Sequence, residues 1–165
     1  MKILALDTSG LVCTVAVMED DRLLSEFSIQ HKITHSELLL PMMEQIKNKI
    51  ALDLNTIDAV AVSAGPGSFT GLRIGCSTAK GLCLAMNKPM IAVPTLDAMA
   101  YQFYGSDYAI CPMMDARRGQ VYTGIYTFVP EKENEKTNET YFSMKTIKPQ
   151  TAVAVEEIAD RKSVV

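Results

Sequence analysis

Ser63-Ala64-Gly65-Pro66-Gly67-Ser68-Phe69-Thr70-Gly71-Leu72-Arg73-Ile74-Gly75 is the stretch whose reading decides the fold. The run that feeds it, Ala59 to Ser63, is short, continuous and apolar, the pattern of a strand buried on both faces. Beyond it, Leu72 to Met86 carries apolar residues at helical spacing until Asn87-Lys88-Pro89 ends the pattern. Met90 to Val93 is then a second apolar run. A strand, a glycine turn, a helix and a returning strand require parallel pairing with a right-handed crossover. The fold class is therefore α/β.

The turn itself admits two readings. Gly65 and Gly67 offer backbone N–H groups at a helix N-terminus, where anions are favoured. Yet Leu72 follows Gly71 where a Walker A loop needs Lys. As a dinucleotide fingerprint it fails too, because the next strand ends Ala92-Val93-Pro94 with no acid for a ribose hydroxyl. The other reading is a tight turn that needs glycine torsions. In the helix that follows, Gly71, Gly75 and Ala79 stand at i, i+4 and i+8. Glycine inside a helix costs about 1 kcal/mol relative to alanine, so another element must approach closely. That element is either the domain's own sheet or a helix of another chain. The Leu- and Met-rich stretch Leu38 to Ile50, apolar over more than a narrow stripe, favours the second. The expected interface is Leu38, Leu39, Met42, Met43 and Ile46 with Gly71, Leu72, Gly75, Cys76 and Ala79.

Towards the N-terminus, Ile3 to Asp7, Val12 to Met18 and Leu23 to Ile29 read as an antiparallel meander. Thr34 and Glu37 have the spacing of a capping box, opening a helix to Ile50 that Pro41 is expected to kink. A further helix runs from Pro94-Thr95 through Phe103. Residues 1–104 thus form a βββαβαβα lobe with a mixed sheet. Towards the C-terminus, Tyr108 to Met114 ends in Asp115, and Val121 to Val129 follows Arg117-Arg118-Gly119. This repeats Ile3 to Asp7, Ser9-Gly10 and Val12 to Met18: a strand ending in Asp, a tight turn, a returning strand. Pro130 to Thr140 reads as an exposed loop, Tyr141 to Ile147 as a third strand and Val153 to Arg161 as a helix. Residues 105–165 are then the start of a second lobe that stops before its parallel strands. Two such lobes are the duplicated, RNase H-like layout of the actin/Hsp70/sugar-kinase superfamily. Asp7-Thr8-Ser9-Gly10 falls at the turn where that superfamily meets phosphate and metal. Asp7 could hold a hydrated Mg²⁺; bonding backbone amides to shape the turn is the expected role. Asp7, Thr8, Ser9, Gly10, Gly65 and Gly67 form the candidate vestigial phosphate loop.

Of the 165 residues, 48% are hydrophobic and 21% charged, enough to bury a core without staples. Sixteen Lys and Arg against nineteen Asp and Glu, net charge −3, leave no basic surplus for gripping nucleic acid unaided. Cys13, Cys76, Cys83 and Cys111 form no Cys-x-x-Cys pair and read as small buried hydrophobes of a reducing compartment. The apolar run at Met1 to Leu6 is too short for a signal peptide, and no stretch is long enough to span a membrane; a cytoplasmic location is expected. His31 and His35 stand four apart, but the helix should begin after His31, and no acid or thiol completes a metal shell. No nucleophile elbow is present.

Five blocks together resemble the bacterial TsaB (YeaZ) family. They are Ile3 to Ser9, His35-Ser36-Glu37-Leu38-Leu39-Leu40-Pro41, Gly65 to Gly75, Ala79-Lys80-Gly81-Leu82 and Asp115-Ala116-Arg117-Arg118-Gly119-Gln120-Val121-Tyr122. They occur in the family's order and cover roughly Met1 to Val129; the glycine block with Phe69 and Arg73 is the specific one. The resemblance implies an actin-like fold without catalytic residues, cofactor or metal. It implies an accessory subunit that homodimerises alone and partners the catalytic subunit TsaD, with the ATPase TsaE. That complex transfers threonylcarbamoyl to N6 of adenosine 37 in tRNAs reading ANN codons, so tRNA is met only through the complex. In the related catalytic subunit a His-x-x-x-His pair holds metal, and the corresponding positions here are Thr95 and Met99, which cannot replace two imidazoles. Family members are longer, so the second lobe reads as truncated. The rival expectations are an active ATP-binding phosphotransferase or ATPase, from Asp7-Thr8-Ser9-Gly10, and a glycoprotease-type metallopeptidase, from His31 and His35.

Overall fold

In the computed structural model, residues 1–31, 34–131 and 140–159 are described. The meander is formed by β1 (Lys2–Asp7), β2 (Cys13–Glu19) and β3 (Arg22–Ile29), with Leu4 opposite Val17 and Leu6 opposite Val15. β4 (Ala59–Gly65) lies parallel to β1, and β5 (Met90–Pro94) lies parallel to β4. The order β3-β2-β1-β4-β5 is the mixed sheet expected of the first actin-like lobe.

Alternation along the strands sends Leu4, Leu6, Val15, Val17, Val60 and Val62 to one face, where all are buried. Two helices cover that face: α1 (His35–Lys49) over β2 and β3, and α2 (Phe69–Met86) over β4 and β1. From α1 come Leu39, Met42 and Ile46, at the i, i+3, i+7 spacing of one stripe, and from α2 comes Ala79. Burial of each large aliphatic side chain is worth about 1.5–3 kcal/mol, so this face anchors the unit.

Several local expectations change. Thr34 is the N-cap of α1, but its hydroxyl meets Ser36 Oγ at 3.0 Å while the Glu37 N–H bonds the Thr34 carbonyl, so no capping box forms. Pro41 lies inside a helix that runs unbroken from His35 to Lys49. A 3-10 turn at Leu54–Thr56, organised by Asp53 accepting from the Asn55 N–H at 2.9 Å, has no apolar periodicity to announce it.

The chain divides into two compact units, Met1–Thr95 and Leu96–Val165, rather than at 104/105. The reason is α3 (Thr95–Tyr101): Leu96 and Ala100 join Ile110, Tyr126 and Phe128 in the second core. That unit is a second antiparallel meander, β6 (Met113–Arg117), β7 (Gln120–Pro130) and β8 (Phe142–Ala154), followed by α4 (Val155–Ala159). β6 starts later than Tyr108, after a lone bridge between Ile110 and Tyr126, and it includes Asp115. β8 continues well past Ile147, so α4 begins at Val155 instead of Val153. Of the expected loop Pro130 to Thr140, residues 132–139 lie outside the described residues, as do the last two of the expected helix Val153 to Arg161.

The internal repeat has a physical basis. Asp7 Oδ1 accepts from the Ser9 N–H at 2.8 Å, and Asp115 Oδ1 accepts from the Arg117 N–H at 2.7 Å. Asp7 closes an Asx turn at the end of β1, and Asp115 makes the same bond within β6, where the register shifts before Arg117. Cys13 is buried, and burial raises its thiol pKa; Cys76 and Cys83 are half-buried. Cys111 is exposed, unlike the buried hydrophobe expected, beside Thr123 Oγ1 at 3.2 Å. No helix of the described residues is long and apolar enough to cross a membrane.

Candidate functional site

The turn after β1 and the start of α2 form one structure. Thr8 and Ser9 are buried, and the Thr8 hydroxyl donates to the Gly71 carbonyl at 2.7 Å. The Ser68 N–H donates to the Ser9 carbonyl at 2.7 Å, and Ser68 Oγ caps α2 by accepting from the Gly71 N–H at 3.3 Å. The glycines explain how backbone comes so close. A Cβ on Gly67 would stand 2.8 Å from Ser9 Cβ, one on Gly71 would strike the Thr8 carbonyl oxygen, and one on Gly75 would strike Thr8 Oγ1.

This geometry tests the vestigial phosphate loop. Asp7, Thr8, Ser9 and Gly67 do come together, while Gly65 packs on Leu72; the Ser9 N–H is taken by Asp7 and the Thr8 hydroxyl by α2. On the side of the turn that faces α2 there is no room for a methyl group, and a phosphate is larger. The residues present do not fit a nucleotide phosphate there. Gly10 is open, with nothing within 4 Å of an added Cβ.

The glycine seam is therefore covered by the chain itself. Gly71 is buried against Thr8, Gly75 against Thr8 and Val62, and Ala79 in the first core, which corrects their placement on a partner-facing surface. Leu39, Met42 and Ile46 need the same correction, being only 1–3% exposed in the first core. Their side chains can reach no partner without repacking that core. Leu38, Met43 and Cys76 are half-buried at its margin, and Leu72 is half-buried beside Gly65.

What α2 turns outward is a different set. At about 100° per residue, Phe69, Arg73, Ser77, Lys80 and Leu84 stand opposite Gly71 and Gly75, and all are exposed, Phe69 by 69% and Leu84 by 86%. Arg73 lies over the Phe69 ring, 4.0 Å from its centroid, a cation–π contact that holds both side chains at the surface. On α1 the exposed stripe is Glu37, Leu40, Pro41 and Glu44, with Lys47 continuing it in the last turn. Neither these carboxylates nor Arg73 and Lys80 pair with a described ion. The first turns of α1 thus show an acidic and apolar stripe, and α2 a basic and apolar one. The signal was in the sequence: the same helical wheel that groups Gly71 with Gly75 groups Phe69 with Arg73 and Leu84.

The metal readings gain no geometry. His35 is the first residue of α1, with Nε2 3.4 Å from the Leu11 carbonyl, and His31 precedes the helix, so the two share no helical face. No cluster of three or more metal-ligating side chains exists among the described residues. Thr95 is buried, Met99 half-buried.

A family model described as TsaD, tRNA N6-adenosine threonylcarbamoyltransferase, matches residues 23–163. The tRNA threonylcarbamoyladenosine biosynthesis protein TsaB of Bacillus subtilis is 37% identical over 78% of this chain and 56% of its own length. The protein of the same description from Escherichia coli is 39% identical over 76% of this chain and 55% of its own. The chain spans a little over half the length of these relatives. The solved structure of YeaZ from Pseudomonas aeruginosa superposes with a TM-score of 0.73 at 29% identity, covering 99% of this chain and 69% of that one.

Proposed function

Because the chain belongs to the TsaB (YeaZ) family, we propose that it acts in tRNA threonylcarbamoyladenosine synthesis as a non-catalytic subunit of the threonylcarbamoyl transferase complex. Its role is to pair with the catalytic subunit TsaD, with the ATPase TsaE, and to support transfer of threonylcarbamoyl to N6 of adenosine 37. It meets tRNA through that complex, in the cytoplasm, and forms a homodimer when alone.

The observation that carries this reading is the pair of open stripes on α1 and α2. Glu37, Leu40 and Glu44 complement Phe69, Arg73, Lys80 and Leu84 in charge and in apolar character. Two copies related by a two-fold axis can set α1 against α2 twice, which is how an isologous interface is built. A partner with the same lobe can offer the same faces. The Ser9 N–H and the Thr8 hydroxyl, both already donating within the chain, leave two fewer donors for a phosphate and count against the rival phosphotransferase.

Reconstitution tests it. Purified TsaD and TsaE, given tRNA and threonylcarbamoyl-AMP, should form product when this chain is added and little without it. An equal rate in its absence overturns the reading. Stoichiometric Mg-ATP binding with turnover by the lone chain would restore the phosphotransferase.

A further inference from the structure

We propose that Thr8 is a positioning residue for the partner-facing side of α2, an inference that rests on the interface reading above. Two adjacent residues of the β1 turn fix α2 at three successive levels. Gly67 and Ser68 stand on Ser9, Gly71 on the Thr8 carbonyl and hydroxyl, and Gly75 on the Thr8 hydroxyl again. Thr8 is 1% exposed, so its hydroxyl has no solvent to turn to, and its hydrogen bond selects one placement of the helix.

The consequence follows from helical geometry. A rotation of α2 by one residue, about 100°, would bring Leu72 or Cys76 onto Thr8, where not even a Cβ fits. Rotations that put a residue with a side chain in place of Gly71 or Gly75 are therefore blocked. Phe69, Arg73, Lys80 and Leu84 lie on the opposite side, so the Thr8 clasp also determines where that stripe points. The residue that aims the interface touches no partner.

The experiment uses the full chain and measures both association with TsaD and urea stability. Thr8→Val keeps the volume and removes the hydroxyl; Thr8→Ser keeps the hydroxyl. Ile57→Val trims a fully buried residue of the same core without altering the Thr8 hydrogen bond to α2 and serves as a stability control. Leu84→Asp alters the outward stripe alone. Thr8→Val should weaken association about tenfold, the equivalent of about 1.4 kcal/mol, and more than Ile57→Val does at matched stability loss. Thr8→Ser should restore wild-type affinity. If Leu84→Asp leaves association unchanged, the interface reading itself fails. If Leu84→Asp weakens it and Thr8→Val does no more than Ile57→Val, the interface stands and the positioning role is overturned. Should Thr8→Val not fold, Thr8→Ala replaces it; if neither folds, Thr8 is a folding residue and the proposal is likewise overturned.

Discussion

A methyl group at Gly71 has nowhere to go: it meets the Thr8 carbonyl oxygen, while the Gly71 backbone is held by hydrogen bonds to the Thr8 hydroxyl and Ser68 Oγ. Gly71→Ala should therefore cost about 3 kcal/mol through overpacking. Gly81, ten residues along the same helix, has nothing within 4 Å of an added Cβ, so Gly81→Ala should stabilise by about 1 kcal/mol from helix propensity alone. Urea unfolding of the two variants gives opposite shifts of midpoint, and shifts of the same sign would contradict the packing described. The i, i+4, i+8 spacing of Gly71, Gly75 and Ala79 was legible in the sequence as a close approach. What approaches was not, because a helix pattern shows where side chains are small and says nothing of Thr8, sixty-three residues away, which fills the gap. Tyr126 offers a second prediction. Burial, and then its hydrogen bond to Asp97, push its phenol up to about 12 from the ordinary 10.0. The neutral phenol is the form the fold prefers, so its contribution is complete below pH 10 and is lost as pH rises towards 12. Between those values the wild type should lose more stability than Tyr126→Phe, and parallel pH profiles for the two would count against it.

At the scale of elements, the buried strands were the easiest to read and the edges the hardest. β1, β2 and β4 announce themselves by short apolar runs because the helices and neighbouring strands bury them; β5, at the edge and largely exposed, is apolar in sequence without being buried. β8 does not announce itself: Lys145, Thr146, Lys148 and Thr151 interrupt its pattern, yet it continues to Ala154 because β7 supplies a hydrogen-bonded partner as far as Gln120. Pairing, a long-range property, overrides local composition there. The capping box at Thr34 failed for a related reason, since Ser36 competes for the same hydroxyl. α1 also carries a testable cost. Pro41 has no N–H, so the Glu37 carbonyl lacks its donor four residues on, and the ring is exposed rather than packed in the core. Pro41→Ala should raise the urea midpoint by the equivalent of about 2 kcal/mol, the propensity gain less the entropy that proline removes from the unfolded chain. An unchanged midpoint would show that the helix has relaxed around the proline.

For the whole molecule the decisive contrast is between the two cores. Among the described residues, the first unites thirteen buried side chains between a five-stranded sheet and two helices, while the second unites five around a three-stranded meander. Apolar burial is the main favourable term in folding, so the second unit should open at a lower free energy than the first. The sequence provides its own reporters. All six tyrosines, Tyr101, Tyr104, Tyr108, Tyr122, Tyr126 and Tyr141, lie in the second unit and there is no tryptophan. The two long helices, α1 and α2, lie in the first. Tyrosine fluorescence thus follows the unfolding of Leu96–Val165, and helical circular dichroism follows Met1–Thr95. In a urea titration the fluorescence transition should come first, leaving a plateau in which α1, α2 and their outward stripes are intact. Coincident transitions would mean that both cores unfold as one cooperative unit. The plateau, if found, also separates the roles of the two units. Association that survives in it belongs to the first lobe, where Thr8 holds α2 in place.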